Sequence, residues 1–461
     1  MRKLFLLLAF FPLLSFAQNI QGIVVSQKDS FPIHHTNIFA LSTKAGTITN
    51  KDGEFSINLL SKYKDNELLE ISHIGYTTRR ITISYLKNHK YKIYLDEEIQ
   101  NLSELTITSN IKLKSKIPFH KLTPSKYSAF SFGSFLKDDK IYVIGGDASL
   151  EVNELERLRS QRADFTLTTY LQASAVNSKL SYYRRDFSIY DIKTDTWEYP
   201  KLDLNLKKRA HHNIHFYDNS IFVLGGKRIL INQKSSWEYL QDQIEVVDLN
   251  KQTIKVDNTN PHQACDFASF SYKDNIIVMG GSVKSTESGK KDYTNKVHLY
   301  NITSGYWYEL DNMPTAKETS GIVIDDKIYI IGGNNGKPIS KIETFDLNTQ
   351  VWQAEGELFS GLEKPAIAYS DNMIYIYEDS LLYTYNLKTK QLKEYETEIA
   401  LKYSAMYFDD DKLYIVGGLT EDKFSKLPST NVFSINIADF KTTNPSRTKV
   451  LSKITGLAKA N

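Results

Sequence analysis

Short apolar runs along this chain end repeatedly in a pair of glycines. Ile141-Tyr142-Val143-Ile144 precedes Gly145-Gly146, Ile221-Phe222-Val223-Leu224 precedes Gly225-Gly226, and Ile276-Ile277-Val278-Met279 precedes Gly280-Gly281. Ile328-Tyr329-Ile330-Ile331 precedes Gly332-Gly333, and Leu413-Tyr414-Ile415-Val416 precedes Gly417-Gly418. A sixth copy, Ile374-Tyr375-Ile376-Tyr377, ends in Glu378-Asp379 instead. β-branched and aromatic runs of this length predict buried strands, and Gly-Gly marks a backbone turn that a Cβ would obstruct. A second pattern follows most copies: an alternating strand ending in an aromatic and Asp or Asn, a polar turn, then an aromatic. Ser188-Ile189-Tyr190-Asp191 leads to Trp197, Val297-His298-Leu299-Tyr300-Asn301 to Trp307, and Ile342-Glu343-Thr344-Phe345-Asp346 to Trp352. Val246-Val247-Asp248 leads to Ile254 and Leu382-Tyr383-Thr384-Tyr385-Asn386 to Leu392, each without the Trp. The period is about 50 residues, the signature of a repeat architecture in which each unit buries its faces against its neighbours.

These combined signals resemble the kelch repeat family over residues 117–437. The resemblance implies a six-bladed β-propeller of four-stranded antiparallel blades around a central channel, with Tyr-Asp on the third strand and Trp on the fourth. The last repeat, ending at Val432-Phe433-Ser434-Ile435-Asn436-Ile437, lacks its Trp strand. Ile117-Pro118-Phe119-His120-Lys121-Leu122-Thr123-Pro124 is similar to the fourth-strand stretch beginning at Trp307, so Phe119 is expected to close the ring; residues 449–454 are the alternative. The longer first step implies an insertion over about 148–184. Within it, Val152, Leu155 and Leu158 have helical spacing.

Upstream, Arg2 and Lys3 precede the apolar run Leu4 to Leu14 and the small-residue site Ser15-Phe16-Ala17. This predicts a secretory signal peptide over residues 1–17, too short for a membrane span, and an exported protein of a Gram-negative periplasm, outer membrane or exterior. Residues 18–95 alternate as a separate all-β unit, with Asp52-Gly53 expected as a hairpin turn. The Asp52-Gly53-Glu54-Phe55 and Ile74-Gly75-Tyr76 elements resemble the carboxypeptidase-regulatory-like β-sandwich, a non-catalytic module in that family. Residues 96–116 form the expected linker and 438–461 a C-terminal tail.

The net charge of +3 gives no electrostatic case for nucleic acid or a membrane surface. The single cysteine, Cys265, excludes an intramolecular disulfide and is expected as a buried, inert thiol. No nucleotide loop, nucleophile elbow or paired-His metal motif is present. His211, His212 and His215 cluster, but as ordinary hydrogen-bonding residues; no metal and no cofactor are expected. Galactose oxidase also carries kelch repeats, but no motif of its copper site surrounds Cys265. Position offers a better guide. The residues entering each innermost strand should line one mouth of the channel: Arg209 and His211, Asp266 beside Cys265, Lys317 and Glu318, Glu363 and Lys364, and Lys402 and Tyr403. Charged and aromatic groups together suit a sugar or a small anion. The reading is a monomeric, non-catalytic binding or scaffold protein of the cell envelope that recognises a protein or glycan. The alternative is a carbohydrate-active enzyme resembling the sialic-acid epimerases, with its site in the channel.

Overall fold

The computed structural model describes residues 18–59, 64–73, 75–97, 113–161, 166–200, 206–231, 236–285, 291–451 and 454–455. The signal-peptide residues and most of the expected linker lie outside these. The chain forms two compact units, residues 1–107 with 452–461, and residues 108–451.

The first unit contains two sheets. One has the order β4 (Glu54–Leu59), β1 (Gln18–Ser26), β7 (Lys92–Leu95); the other runs β3 (Gly46–Ile48), β2 (Asn37–Ala40), β5 (Leu68–His73), β6 (Tyr76–Thr82). Alternation fixes which faces are buried. Along β4, Phe55, Ile57 and Leu59 are buried while Glu54, Ser56 and Asn58 are exposed. They join Ile38, Leu69, Ile71, Ile81 and Ile93 in one apolar core. A short helix, α1 (Ile83–Asn88), is capped by Thr82, whose hydroxyl accepts from the Tyr85 N–H. The turn at Asp52-Gly53 differs from the expected hairpin: it joins β3 of one sheet to β4 of the other. The Asn50 carboxamide oxygen accepts from the Asp52 and Glu54 N–H groups and holds this corner.

In the second unit, six sheets built on one plan are described. Sheet one contains Gly133–Lys137, Lys140–Asp147, Tyr183–Asp191 and Thr196–Glu198; sheet two contains Asn213–Tyr217, Ser220–Leu224, Ile244–Asp248 and Thr253–Asp257. Sheet three contains Ala268–Tyr272, Asn275–Met279, Val297–Asn301 and Trp307–Leu310; sheet four contains Gly321–Ile324, Lys327–Ile331, Ile339–Asp346 and Trp352–Leu362. Sheet five contains Ala366–Ser370, Met373–Glu378, Leu381–Asn386 and Gln391–Glu396; sheet six contains Ala405–Asp409, Lys412–Val416, Val432–Asn436 and, from upstream, His120–Lys121. All are antiparallel, in the strand order the repeat predicts.

The repeated residues now have causes. The aromatic before each turn is buried, as at Tyr190, Phe345 and Tyr385. The Asp or Asn after it caps the turn: the Asp191 carboxylate accepts from the Lys193 and Thr194 N–H groups, Asp346 from Asn348 and Thr349, and Asn386 from Lys388 and Thr389. Both glycines of each pair have positive φ. The second sends its N–H to the next sheet: Gly146 to the Arg209 carbonyl, Gly226 to Ala264, Gly281 to Lys317, Gly333 to Leu362 and Gly418 to Ala129. In the copy without glycine, the Asp379 N–H donates to Leu401. This circuit returns to sheet one after six steps. A Cβ at Gly226 would stand 2.5 Å from the Ala210 carbonyl oxygen, which explains the glycine.

Ring closure uses the N-terminal segment. His120–Lys121 pairs with Phe433 and Ser434, and the Phe119 ring meets Phe433 edge-on at 5.2 Å. Residues 447–450 instead add a fifth strand to sheet five, and residues 454–455 pair in parallel with β6 of the first unit.

Candidate functional site

The segments entering the six inner strands share a register set by the glycine circuit. Ala129, Arg209, Ala264, Lys317, Leu362 and Leu401 accept its hydrogen bonds. Two residues later come Ser131, His211, Asp266, Thr319, Lys364 and Tyr403. At this second position Ser131, His211, Asp266 and Tyr403 all have left-handed backbones, φ 46, 58, 54 and 56°. A second belt links them: Ser131 N–H to the Tyr403 carbonyl, His211 to Ser131, Asp266 to His211, and Thr319 to Asp266. Left-handed conformations in non-glycine residues cost roughly 1–2 kcal/mol each, and such strain persists where surrounding structure enforces it, often at functional sites. Sheet five departs from the belt. There the Glu378 carboxylate, standing where other repeats have the first glycine, accepts from the Glu363 and Lys364 N–H groups at 2.8 and 2.7 Å.

This register brings side chains of all six sheets together. His211 Nδ1 lies 2.9 Å from Asp266 Oδ1, and His211 Nε2 lies 3.5 Å from Asp147 Oδ2. Lys364 Nζ reaches Asp266 Oδ1 at 2.6 Å, from sheet five to sheet three. Lys291 Nζ binds Glu318 at 2.5 Å, and Lys227 Nζ binds Glu238 at 2.7 Å. The Tyr403 hydroxyl donates to Glu363 at 2.8 Å, and Tyr183 donates to Glu238. Phe130 packs between Tyr403 and His211, with ring centroids 6.0 and 6.3 Å away. Lys402 pairs with Glu421. The carboxylates of Asp147, Asp266 and Glu318 are nearly buried, whereas their partners Lys291 and Lys364, and Lys402 beside Glu421, are partly exposed.

The electrostatics follow. Burial disfavours a charged His211, but the Asp266 charge and the hydrogen bonds its ring donates to both aspartates outweigh it, so its pKa is raised. Both ring nitrogens face carboxylates, which favours the protonated ring and leaves no free nitrogen to serve as a base. Burial also opposes ionisation of Asp266, yet His211 and Lys364 hold it well below the carboxylate range. At Glu318, burial and the Asp266 charge prevail over Lys291, and the pKa rises. Burial pushes the Cys265 thiol up to about 11. Its sulfur lies 3.1 Å from the Ser282 hydroxyl, an inert arrangement.

Among the residues expected at this mouth, His211, Asp266, Glu318, Glu363, Lys364 and Tyr403 converge, and Lys402 lies beside Glu421. Arg209 and Lys317 do not. They occupy the register position that points into the sheet, where Arg209 pairs with Glu245 at 2.5 Å and Lys317 with Glu343 at 2.7 Å, with 1% of either basic side chain exposed. Sequence reasoning missed Asp147, Tyr183, Lys227, Glu238 and Lys291, which follow the glycine pairs or come from the excursions beyond them. The histidines also separate. The strand begins only at Asn213, so His211 and His215 share no alternation; His215 bonds Ser269 and Ser271, and both His212 ring nitrogens are buried without a hydrogen-bond partner among the described residues. Among the described residues, no group of His, Cys, Asp and Glu could hold a metal ion.

The insertion borders this mouth. It holds α2 (Glu154–Gln161), near the expected helix, and α3 (Leu167–Val176). The strand at 150–152 pairs with 178–180 and with 425–426 from sheet six's excursion. The α3 segment lacks an amphipathic pattern, and only Ala173 is buried.

Residues 175–377 match the KLHDC2/KLHL20/DRC7 Kelch-repeats domain, and residues 20–107 the CarboxypepD_reg-like domain. Among relatives, Kelch repeat and BTB domain-containing protein 2 of Cowpox virus (strain Brighton Red) is 31% identical over 30% of this chain and 25% of its own length. An F-box/kelch-repeat protein of Arabidopsis thaliana is 25% identical over 47% of this chain and 58% of its own. The matches span less than two thirds of either relative. The solved structure of YjhT is 12% identical, with a TM-score of 0.48, over 68% of this chain and 99% of that chain. The chain carries a CarboxypepD_reg-like domain and kelch repeats on a nearly all-β propeller fold.

Proposed function

We propose that this chain is an exported, non-catalytic binding protein of the bacterial cell envelope, and that it captures a protein or glycan ligand at the channel mouth. One observation carries the reading: six sheets deliver Phe130, His211, Asp266, Glu318, Lys364 and Tyr403 to one strained, connected constellation. Partly exposed lysines beside buried carboxylates, flanked by aromatic rings, offer donors, acceptors and an apolar surface at one place. Export rests on the basic, apolar and small-residue pattern of residues 2–17. The test is calorimetry of the mature chain against sugars, uronic acids and acidic peptides. A ligand found for the wild type should lose at least about tenfold in affinity with Lys364→Ala or Tyr403→Phe, the loss of one charge-assisted or one neutral hydrogen bond. A ligand indifferent to both substitutions would place the site elsewhere.

A carbohydrate-active enzyme is a second reading, favoured by Asp266 and Glu318. Their environments push two neighbouring carboxyl groups in opposite directions, one kept ionised and one easily protonated, the division an acid/base pair requires. Glu318→Gln would then abolish turnover of a bound sugar while leaving its binding intact; binding without any turnover by the wild type argues for the first reading.

A further inference from the structure

The first unit carries features of a separate binding site. An open cleft of about 920 Å³ lies on the solvent side of the β4–β1–β7 sheet and is lined by Asn19, Gln21, Thr47, Ile48, Ser56 and Tyr91, among others. Asn19 and Gln21 stand on β1 directly opposite Asn58 and Ser56 on β4, and all four are exposed. Thus four adjoining solvent-facing positions carry amides and a hydroxyl, in a chain of which 24% is charged. Charge enters the cleft only through Glu54 and Lys90. The side chains of Asn19, Gln21, Thr47 and Ser56 make no hydrogen bond to the described residues, so their donors and acceptors are available to a ligand.

Beside these groups stand two exposed apolar side chains, Ile48 and Tyr91, 58% and 43% accessible. The backbone of Tyr91 is held. Lys90 and Tyr91 are consecutive left-handed residues, φ 52 and 61°. The Tyr91 N–H donates to Leu86, and its carbonyl accepts from the Ile23 N–H. A Cβ at Gly22 would stand 2.7 Å from that carbonyl oxygen and from the Phe55 ring, so the seat of Tyr91 depends on a glycine below it. This turn holds the Tyr91 backbone in a left-handed conformation and presents its exposed ring beside an open polar cleft.

The chemistry narrows the ligand. A phosphate or nucleotide would call for several basic groups, and a cation for several carboxylates; here one of each stands among uncharged amides and hydroxyls. We infer that this face binds a neutral polysaccharide, with a sugar ring against Tyr91 and sugar hydroxyls bonded to Asn19, Gln21, Thr47 and Ser56. The mature chain should be retarded in native gels containing at least one of hydroxyethylcellulose, dextran, galactomannan or glycogen. Tyr91→Ala and Gln21→Ala should each weaken retardation by about tenfold or more, a lost stacking surface or hydrogen bond, while Tyr91→Phe keeps it. Asp266→Asn at the propeller mouth should leave it unchanged, which separates this site from the one proposed above. Absence of retardation by all four polymers overturns the inference, as does retardation that survives both Tyr91→Ala and Gln21→Ala or disappears with Asp266→Asn. Should Tyr91→Ala fail to fold by circular dichroism, Gln21→Ala decides alone.

Discussion

Lys317→Met tests the register on which the site depends. Lys317 Nζ lies 2.7 Å from Glu343 Oε2 and 3.2 Å from the Gly332 carbonyl oxygen. The two side chains are 1% and 8% exposed. Substituting one partner leaves Glu343 as a buried, uncompensated carboxylate, and breaking a buried pair in this way costs about 3–5 kcal/mol. Lys364→Met at the mouth removes the same charge, but this lysine is 24% exposed, and Asp266 keeps His211 as its partner. Its loss should cost only about 0–1 kcal/mol. Replacing both buried groups, as Lys317→Met with Glu343→Leu, should recover most of the loss, because a well-packed apolar pair can match a buried ion pair. Urea unfolding at pH 7, followed by Trp fluorescence with shared m-values, measures all three differences. If Lys317→Met lies within about 1 kcal/mol of the wild type, or if the two lysines cost alike, the assignment of Lys317 to the sheet interior is refuted.

Gly226→Ala should cost at least about 2 kcal/mol, since φ is +77° and the new Cβ meets the Ala210 carbonyl; Gly336→Ala, with φ +101° and open space, should cost about 1 kcal/mol, and equal melting temperatures would discard the steric argument. The raised pKa of His211 means its contribution is complete below its ordinary 6.5 and is lost as pH rises through the folded value. Asp147 and Asp266, both lowered, contribute above the ordinary 3.8 and lose that contribution as pH falls through their folded values. The stability gap between wild type and His211→Gln should therefore be widest between those two ordinary values and shrink toward alkaline pH; a gap constant from about pH 5 to 9 would mean its charge does not matter. His262, buried and bonded to the Gly280 carbonyl, has a pKa lowered to about 4. The unfolded chain therefore takes up this proton first as pH falls below 6.5, at a cost approaching about 3 kcal/mol by pH 4. His262→Gln should flatten that acid limb in calorimetry, and an unchanged limb would assign it to other groups.

Much of the fold was legible because the repeat encodes local requirements. A Tyr-Asp pair needs a buried ring and a turn-capping carboxylate, and Gly-Gly needs two left-handed backbones plus an N–H aimed at the next sheet; both recur wherever the geometry recurs. What was illegible depends on distant partners. Nothing around Asp52-Gly53 says that its flanking strands part into different sheets, since a corner and a hairpin use the same turn chemistry. The α3 helix has no apolar period to read. Residues 447–450 carry little β pattern and gain their strand from the free edge of Gln391–Glu396.

The site failed in a more instructive way. Lys317 and Lys364 look alike in sequence: each is a lysine beside a glutamate, shortly before an inner strand. Both lysines precede the strands that begin at Gly321 and Ala366, so a period of two does not reach them and cannot tell which lysine turns inward. The answer lies on the third strand. Glu245 and Glu343 each stand three residues before the turn-capping Asp248 and Asp346, directly after a buried Ile244 or Ile342, and a buried acid demands a buried base. Those two glutamates account for Arg209 and Lys317. The corresponding positions in sheets one and five are Ser188 and Tyr383, which demand none, and there the inward position is filled by Ala129 and Leu362. Matching each entrance charge against an acid on its own sheet's third strand removes Arg209 and Lys317, and His211, Asp266, Glu318, Glu363 and Lys364, which have no such partner, meet at the mouth.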